Sequence, residues 1–224
     1  MESDTKEFIE KHKKDFVMIA IAMLSTFVLV GGLRYISGTT VSSGSLTASV
    51  YVPIEFLEAR SRAANAADKL VDLTEQSAAN LSSISGADQR GDYVRGLELV
   101  TAEIERGNDI RNTAVDLSEE LLDMAKGLAI VTPKEATAVG FAAVTTGIEL
   151  VQRLISYNNN LQELFNTLEA RLQNEGDEYT RARINELIGA LNEEAVVINN
   201  LGSEYKALMI QFDGLTNNAP PSEG

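Results

Sequence analysis

The 224-residue chain contains no cysteine and no tryptophan, and its single histidine is His12. Without cysteine there is no disulfide, no thiol nucleophile and no thiolate metal site, and a lipoprotein anchor is excluded. Without histidine after residue 12, most of the chain has no imidazole base, no Ser-His-Asp triad and no histidine ligand for zinc or di-iron. We therefore expect no enzymatic activity, with no catalytic residues, no cofactor and no metal.

Basic residues are also scarce. The chain has 19 Lys and Arg against 33 Asp and Glu, a net charge of −14. Residues 1–34 are balanced, so the whole excess lies in residues 35–224. An acidic surface repels the phosphates of nucleic acids, and we expect no nucleic-acid partner. Adjacent helix residues point about 100° apart, so the carboxylates of a pair such as Glu193-Glu194 do not converge on one site. We therefore interpret such pairs as parts of solvated helix faces.

Charge is absent from one run of eighteen residues, Phe16 to Leu33, which reads FVMIAIAMLSTFVLVGGL. As a helix this run spans about 27 Å, close to the hydrocarbon thickness of a bilayer. It predicts a transmembrane anchor over residues 16–34, with Arg34 and Tyr35 at the outer interface. Arg34 is the only basic residue that closely follows the run. Four lysines precede it: Lys6, Lys11, Lys13 and Lys14.

This lysine bias predicts a single-pass cell-membrane protein with a cytoplasmic N-terminus and an extracytoplasmic bulk. Two other interpretations are open: a cleaved signal peptide and a buried core helix. A signal peptide usually has a shorter apolar region that ends in a small-x-small site. The nearest such site, Ser42-Ser43-Gly44, lies well downstream of Leu33. We therefore favour a retained signal-anchor that holds the chain in the lipid bilayer.

The pattern predicts an all-α chain: a transmembrane helix and then a long antiparallel four-helix bundle. The bounds are a cytoplasmic arm over 1–15, the anchor over 16–34, a Ser/Gly/Thr-rich linker with a short extended segment over 35–52, the bundle over 53–213 and a disordered tail over 214–224. The tail is rich in Asn, Pro, Ser and Gly, which supports this last assignment.

Four stretches of the bundle region have apolar residues at alternating three- and four-residue steps. The predicted helices run from Pro53 to Ser83, with a break at Ser85-Gly86, from about Asp88 to Ile130, from a capping box at Thr132-Pro133-Lys134-Glu135 to Gly176, and from Asp177 to Asp213-Gly214. In the second helix the buried seam is predicted to include Val100, Ile104, Gly107 and Ile110. The same seams are compatible with an intermolecular coiled coil.

Three residues are candidates for a polar pocket or for fixing helix register. Asn158 lies near the seam of the third helix, next to Tyr157 and within the run Asn158-Asn159-Asn160. A buried asparagine can fix register or contribute to a ligand pocket. Arg111 lies beside the seam of the second helix and is expected to pair with a carboxylate across the bundle. The alternatives are that the Asn158-Asn159-Asn160 run mainly faces solvent and that Arg111 has a purely structural role.

An N-terminal anchor followed by an extracytoplasmic bundle resembles the layout of LemA-type proteins and of the sensory bundles of chemotaxis receptors. The resemblance is one of architecture and includes no shared motif, so it does not assign a function. The sequence favours a membrane-anchored interaction or scaffold protein with a protein partner or a second copy of itself. The alternative is a ligand-binding, sensor-like bundle that acts through a partner.

Overall fold

The computed structural model describes residues 50–175 and 178–217. These residues form four long helices: α1 (Ile54–Arg90), α2 (Tyr93–Leu128), α3 (Lys134–Ala170), which continues as a π-helix (Arg171–Glu175), and α4 (Glu178–Asn217). The predicted all-helical architecture is confirmed for this part of the chain. The predicted arm, anchor, most of the linker, the helix boundary at Gly176-Asp177 and the last seven residues lie outside the described residues.

The first helix break was predicted in the wrong place. Helix α1 continues through Ser85 and Gly86 to Arg90, and the chain turns at Gly91, whose φ is 70°. This left-handed conformation favours glycine, which has no Cβ to clash with the backbone. Asp92 then caps α2 by accepting a hydrogen bond from the Arg95 backbone N–H at 3.2 Å. A single mid-helix glycine such as Gly86 costs about 1 kcal/mol, too little to end a helix that is packed elsewhere.

The α2–α3 connection also differs from the predicted capping box. Thr132 forms an antiparallel backbone bridge with Tyr51, through hydrogen bonds of 3.2 and 3.0 Å. The hydroxyl that binds the connection belongs instead to Thr137, which donates to the Val131 carbonyl at 2.8 Å. At the other end of the chain, α4 extends to Asn217, so Gly214 to Asn217 of the predicted tail are helical.

The chain forms two compact units, each with its own internal contacts. The second unit contains residues 50–71, 112–155 and 197–217. Phe56 of α1 and Phe212 of α4 contact each other in its core, with ring centroids 5.1 Å apart. Gly127 of α2 lies against the backbone of Phe56, and Gly147 of α3 lies between Leu121 and Tyr205. These contacts place four helical segments in one antiparallel bundle.

The first unit contains residues 72–111, 156–175 and 178–196. Each of its four helical segments contributes apolar side chains to its core. Among the buried ones are Leu81, Ile84, Val100, Leu164, Phe165, Leu187 and Leu191. It differs from an ordinary bundle core in three buried polar residues, Ser77, Glu103 and Asn158. Buried polar groups require hydrogen-bond partners, so this unit is where a specific polar arrangement can be sought.

Candidate functional site

Asn158 is buried in the first unit, where it joins α3 to α2. Its side chain is 2% exposed, and Nδ2 donates a hydrogen bond to the carbonyl oxygen of Gly107 at 2.9 Å. One turn further along, Gln162 Nε2 donates to the carbonyl oxygen of Ile104 at 3.4 Å. Gln162 also fills the space where a side chain at position 107 would lie. The glycine therefore allows the close approach that these two amide contacts need.

The other two predicted residues are not part of this contact. Tyr157 is buried beside Asn158 at 6% exposure. Arg111 is exposed on α2, and among the described residues it forms no ion pair across the bundle. Arg111 lies beside the predicted seam of Gly107, Ile110 and Ala114, but on the outer surface, so the expected pairing across the bundle is not formed by the residues that the structure describes.

Glu103 is the buried polar residue that the sequence reasoning missed. It is 1% exposed, its Oε1 accepts a hydrogen bond from Asn80 Nδ2 at 2.6 Å, and it forms an ion pair with Arg106. Ile104, which was predicted to occupy the seam, is only half-buried. The core position belongs to Glu103 because Asn80 and Arg106 supply the partners that a buried carboxylate requires.

The two buried side chains keep one hydrogen-bond acceptor each without a partner. These atoms are Glu103 Oε2 and Asn158 Oδ1. Each lone pair is an acceptor that an N–H or O–H donor of a bound molecule would satisfy. Between residues 50 and 217, as far as the structure describes them, no three His, Cys, Asp or Glu side chains are arranged to hold a metal ion.

A second feature lies on the outside of the second unit. Helix α3 carries no charge from Ala136 to Ile148, although the chain as a whole is strongly acidic. Phe141 is 42% exposed within this run, and on α2 Leu122 and Val115 are 49% and 45% exposed. The run belongs to the only described helix, Lys134–Gln173, whose length and composition would allow it to cross a membrane. A helix whose apolar face packs in a bundle has the same composition.

These exposed side chains lie on one side of the α2–α3 contact. Gly140 contacts Leu128 and Gly147 contacts Leu121, and the next residue on each helix is turned by about 100°. Because the two helices are antiparallel, equal turns carry both side chains to the same side. The resulting surface, which we name the α2/α3 face, consists of Val115, Leu122, Ala129, Phe141 and Ile148.

Two carboxylates of α2, Glu120 and Asp123, are paired on the side that faces α1. Arg62 of α1 pairs with Glu120 at 2.8 Å and with Asp123 at 3.6 Å, and Lys126 pairs with Asp123 at 2.7 Å. The hydrogen bond from Lys126 lowers the pKa of Asp123, and the hydrogen bond to Glu120 raises the pKa of Arg62. Glu120 and Asp123 are thus held on the α1 side, whereas the exposed Glu119 and Lys126 lie one helical turn from Leu122 and border the α2/α3 face.

Comparison with known proteins adds no relative. No protein-family model matches the chain, and neither the curated proteins nor the solved structures gave a match.

Proposed function

We propose that this protein is a non-enzymatic, single-pass membrane protein whose extracytoplasmic helical bundle binds a protein partner through the α2/α3 face. The anchor is the apolar run over residues 16–34, and the preceding lysines orient it with the N-terminus in the cytoplasm. The scarcity of histidine and the absence of cysteine support a binding role rather than a catalytic one.

The observation that carries the proposal is an apolar face exposed on an acidic bundle. Burying the exposed parts of Val115, Leu122 and Phe141 would contribute roughly 3 kcal/mol in total, about half the value for complete burial of three such side chains. The apolar residues of the face are bordered by one acidic and one basic side chain, Glu119 and Lys126, so no excess of one sign attracts nucleic acid or a basic peptide. Its apolar residues recur every seven positions on α2 and on α3, the repeat by which one helix packs on another. The partner's contacting element is therefore a helix, from another protein or from a second copy.

Two experiments test this proposal. Photoreactive residues at Leu122 and, as a control, at the exposed Glu98 of the first unit are activated in native membranes. We expect adducts from position 122 only, and an adduct of twice the chain mass identifies a second copy. Equal adduct yields from both positions, or none from position 122, would contradict the α2/α3 face as the binding surface.

The anchor is tested separately by fractionation. The full chain should remain with membranes after carbonate extraction, and protease added to intact cells should digest the bundle. Recovery of the chain in the soluble fraction without detergent would overturn the membrane assignment, whatever the crosslinking shows.

The unpartnered acceptors of the first unit favour a second candidate, a ligand-binding bundle that acts through a partner. A small molecule with N–H donors would satisfy Asn158 Oδ1 or Glu103 Oε2. A thermal-shift screen of amine and amide compounds against the wild type and Asn158→Leu tests it. A compound that stabilises only the wild type would support this function, and the absence of any shift would count against it.

A further inference from the structure

We infer that one end of the second unit, formed around Tyr51, Ile54 and Ile130, rests directly on the lipid bilayer. The inference depends on the anchor proposed above and adds a second, peripheral membrane contact to it. We name this end of the unit the docking end. Its residues are 51–54 and 129–134.

The docking end has exposed apolar side chains at three neighbouring positions. Tyr51, Ile54 and Ile130 are 54%, 60% and 58% exposed. The backbone bridge between Tyr51 and Thr132 holds the two chain segments together, and Ile54 and Ile130 lie within three residues of it. Pro53 and Val131, which lie next to Ile54 and Ile130 in the chain, are buried, so both segments are packed against the rest of the unit. The three side chains thus form a single surface at the entrance of the chain into the bundle.

The length of chain before this surface identifies its partner. Only sixteen residues, 35–50, separate Arg34 from Tyr51, and fully extended they cover at most about 55 Å. The docking end is covalently tied to the predicted outer edge of the bilayer by this short segment. A short tether gives an effective concentration in the millimolar range, so weak affinity for lipid is enough for docking. No comparable tether acts on the connection between α1 and α2 in the first unit.

The chemistry of the docking end fits a bilayer interface. Tyrosine is enriched at the headgroup level, where its ring is buried and its hydroxyl stays hydrated. Lys134 is exposed next to the bridge and can direct its ammonium group to a lipid phosphate. Glu55 and Glu135 are exposed in the first turns of α1 and α3, and they would be repelled by anionic lipids. Zwitterionic lipid is therefore the surface that the docking end fits best.

The test uses the full chain in phosphatidylcholine nanodiscs. Because the chain has no cysteine, a single spin label can be attached at Ile130→Cys or, as a control, at Val94→Cys. Val94 is 72% exposed in the first unit and has no tether beside it. We expect the label at 130 to be relaxed mainly by oxygen, which concentrates in lipid, and the label at 94 mainly by a water-soluble nickel complex.

A second variant checks that the contact is apolar. Ile54→Gln in the chain labelled at 130 should lower the ratio of lipid-contacting to water-exposed label by about tenfold, with unchanged helix content. Equal exposure of both labels to the nickel complex, in chains that stay in the nanodisc, would overturn the docking end and leave the anchor standing. A chain that does not enter nanodiscs would overturn the anchor and this inference with it.

Discussion

Gly127 offers a sharp test of how closely α1 and α2 approach in the second unit. In Gly127→Ala the new Cβ would lie 2.8 Å from Phe56 Cβ, 3.1 Å from its Cα and 3.2 Å from its backbone nitrogen. Backbone atoms cannot rotate away, so the two helices must separate. Gly189→Ala is the matched control, because nothing lies within 4 Å of the Cβ at this mid-helix position.

The expected energies follow from two opposed effects. Alanine in place of a helical glycine stabilises by about 1 kcal/mol, and Gly189→Ala should show this gain alone. Gly127→Ala gains the same amount but adds overpacking strain of about 1–3 kcal/mol. It should therefore be less stable than Gly189→Ala by about 1–3 kcal/mol. Urea unfolding of the full chain in detergent, followed by circular dichroism at 222 nm, measures both. If Gly127→Ala proves as stabilising as Gly189→Ala, the close α1–α2 contact described here is wrong.

Three further predictions concern polar groups. Asn158→Ala should destabilise by about 1–3 kcal/mol in urea unfolding because it removes a buried hydrogen bond, whereas the exposed Asn159→Ala should change stability by less than about 0.5 kcal/mol; similar effects would refute the burial of position 158. Asp213→Asn breaks the half-buried ion pair between Asp213 and Arg60, whose two hydrogen bonds are 2.7 and 2.9 Å long, and should lower the free energy of unfolding by about 1–3 kcal/mol. Glu98→Gln, in the exposed pair with Arg95, should lower it by less than about 0.5 kcal/mol. Thermal unfolding measures both. Burial raises the pKa of Tyr205 to about 12, so its proton is lost from the unfolded chain first. Stability should then fall by about 1.4 kcal/mol for each pH unit between 10 and 12, and unfolding measured against pH should show a smaller fall in Tyr205→Phe.

The helical periodicity was sufficient to predict most of the buried seam of α2. Gly107, Ile110, Ala114, Leu117 and Leu121 are buried as their spacing predicts. The seam position after Val100 was predicted wrongly. A helical seam can advance by three or by four residues, and Ile104 was chosen over Glu103 because it is apolar. Glu103 takes the core position, where Asn80 of α1 reaches it in addition to Arg106 of its own helix. A partner that comes from another helix leaves no periodic signal in the sequence.

The sequence contained a turn signal at the true end of α1, although Ser85-Gly86 was predicted as the break. Arg90-Gly91-Asp92 combines a glycine that can adopt positive φ with an N-cap aspartate, which is a stronger helix boundary than Ser85-Gly86. Asn158 was recognised from its position near the seam, whereas its acceptor, the Gly107 carbonyl, depends on the relative register of α2 and α3. The α2/α3 face was not predicted, because Leu122 and Phe141 lie outside the apolar seams and nothing in their spacing marks an exposed apolar surface.

The bridge between Tyr51 and Thr132 also has a mechanical consequence. Any tension along the linker enters the bundle at Tyr51, before the first turn of α1. The two backbone hydrogen bonds of the bridge pass part of that load to the α2–α3 connection, which the Thr137 hydroxyl braces from the other side. A pull on the chain before Tyr51 is thus shared by three helices instead of separating α1 alone from the bundle.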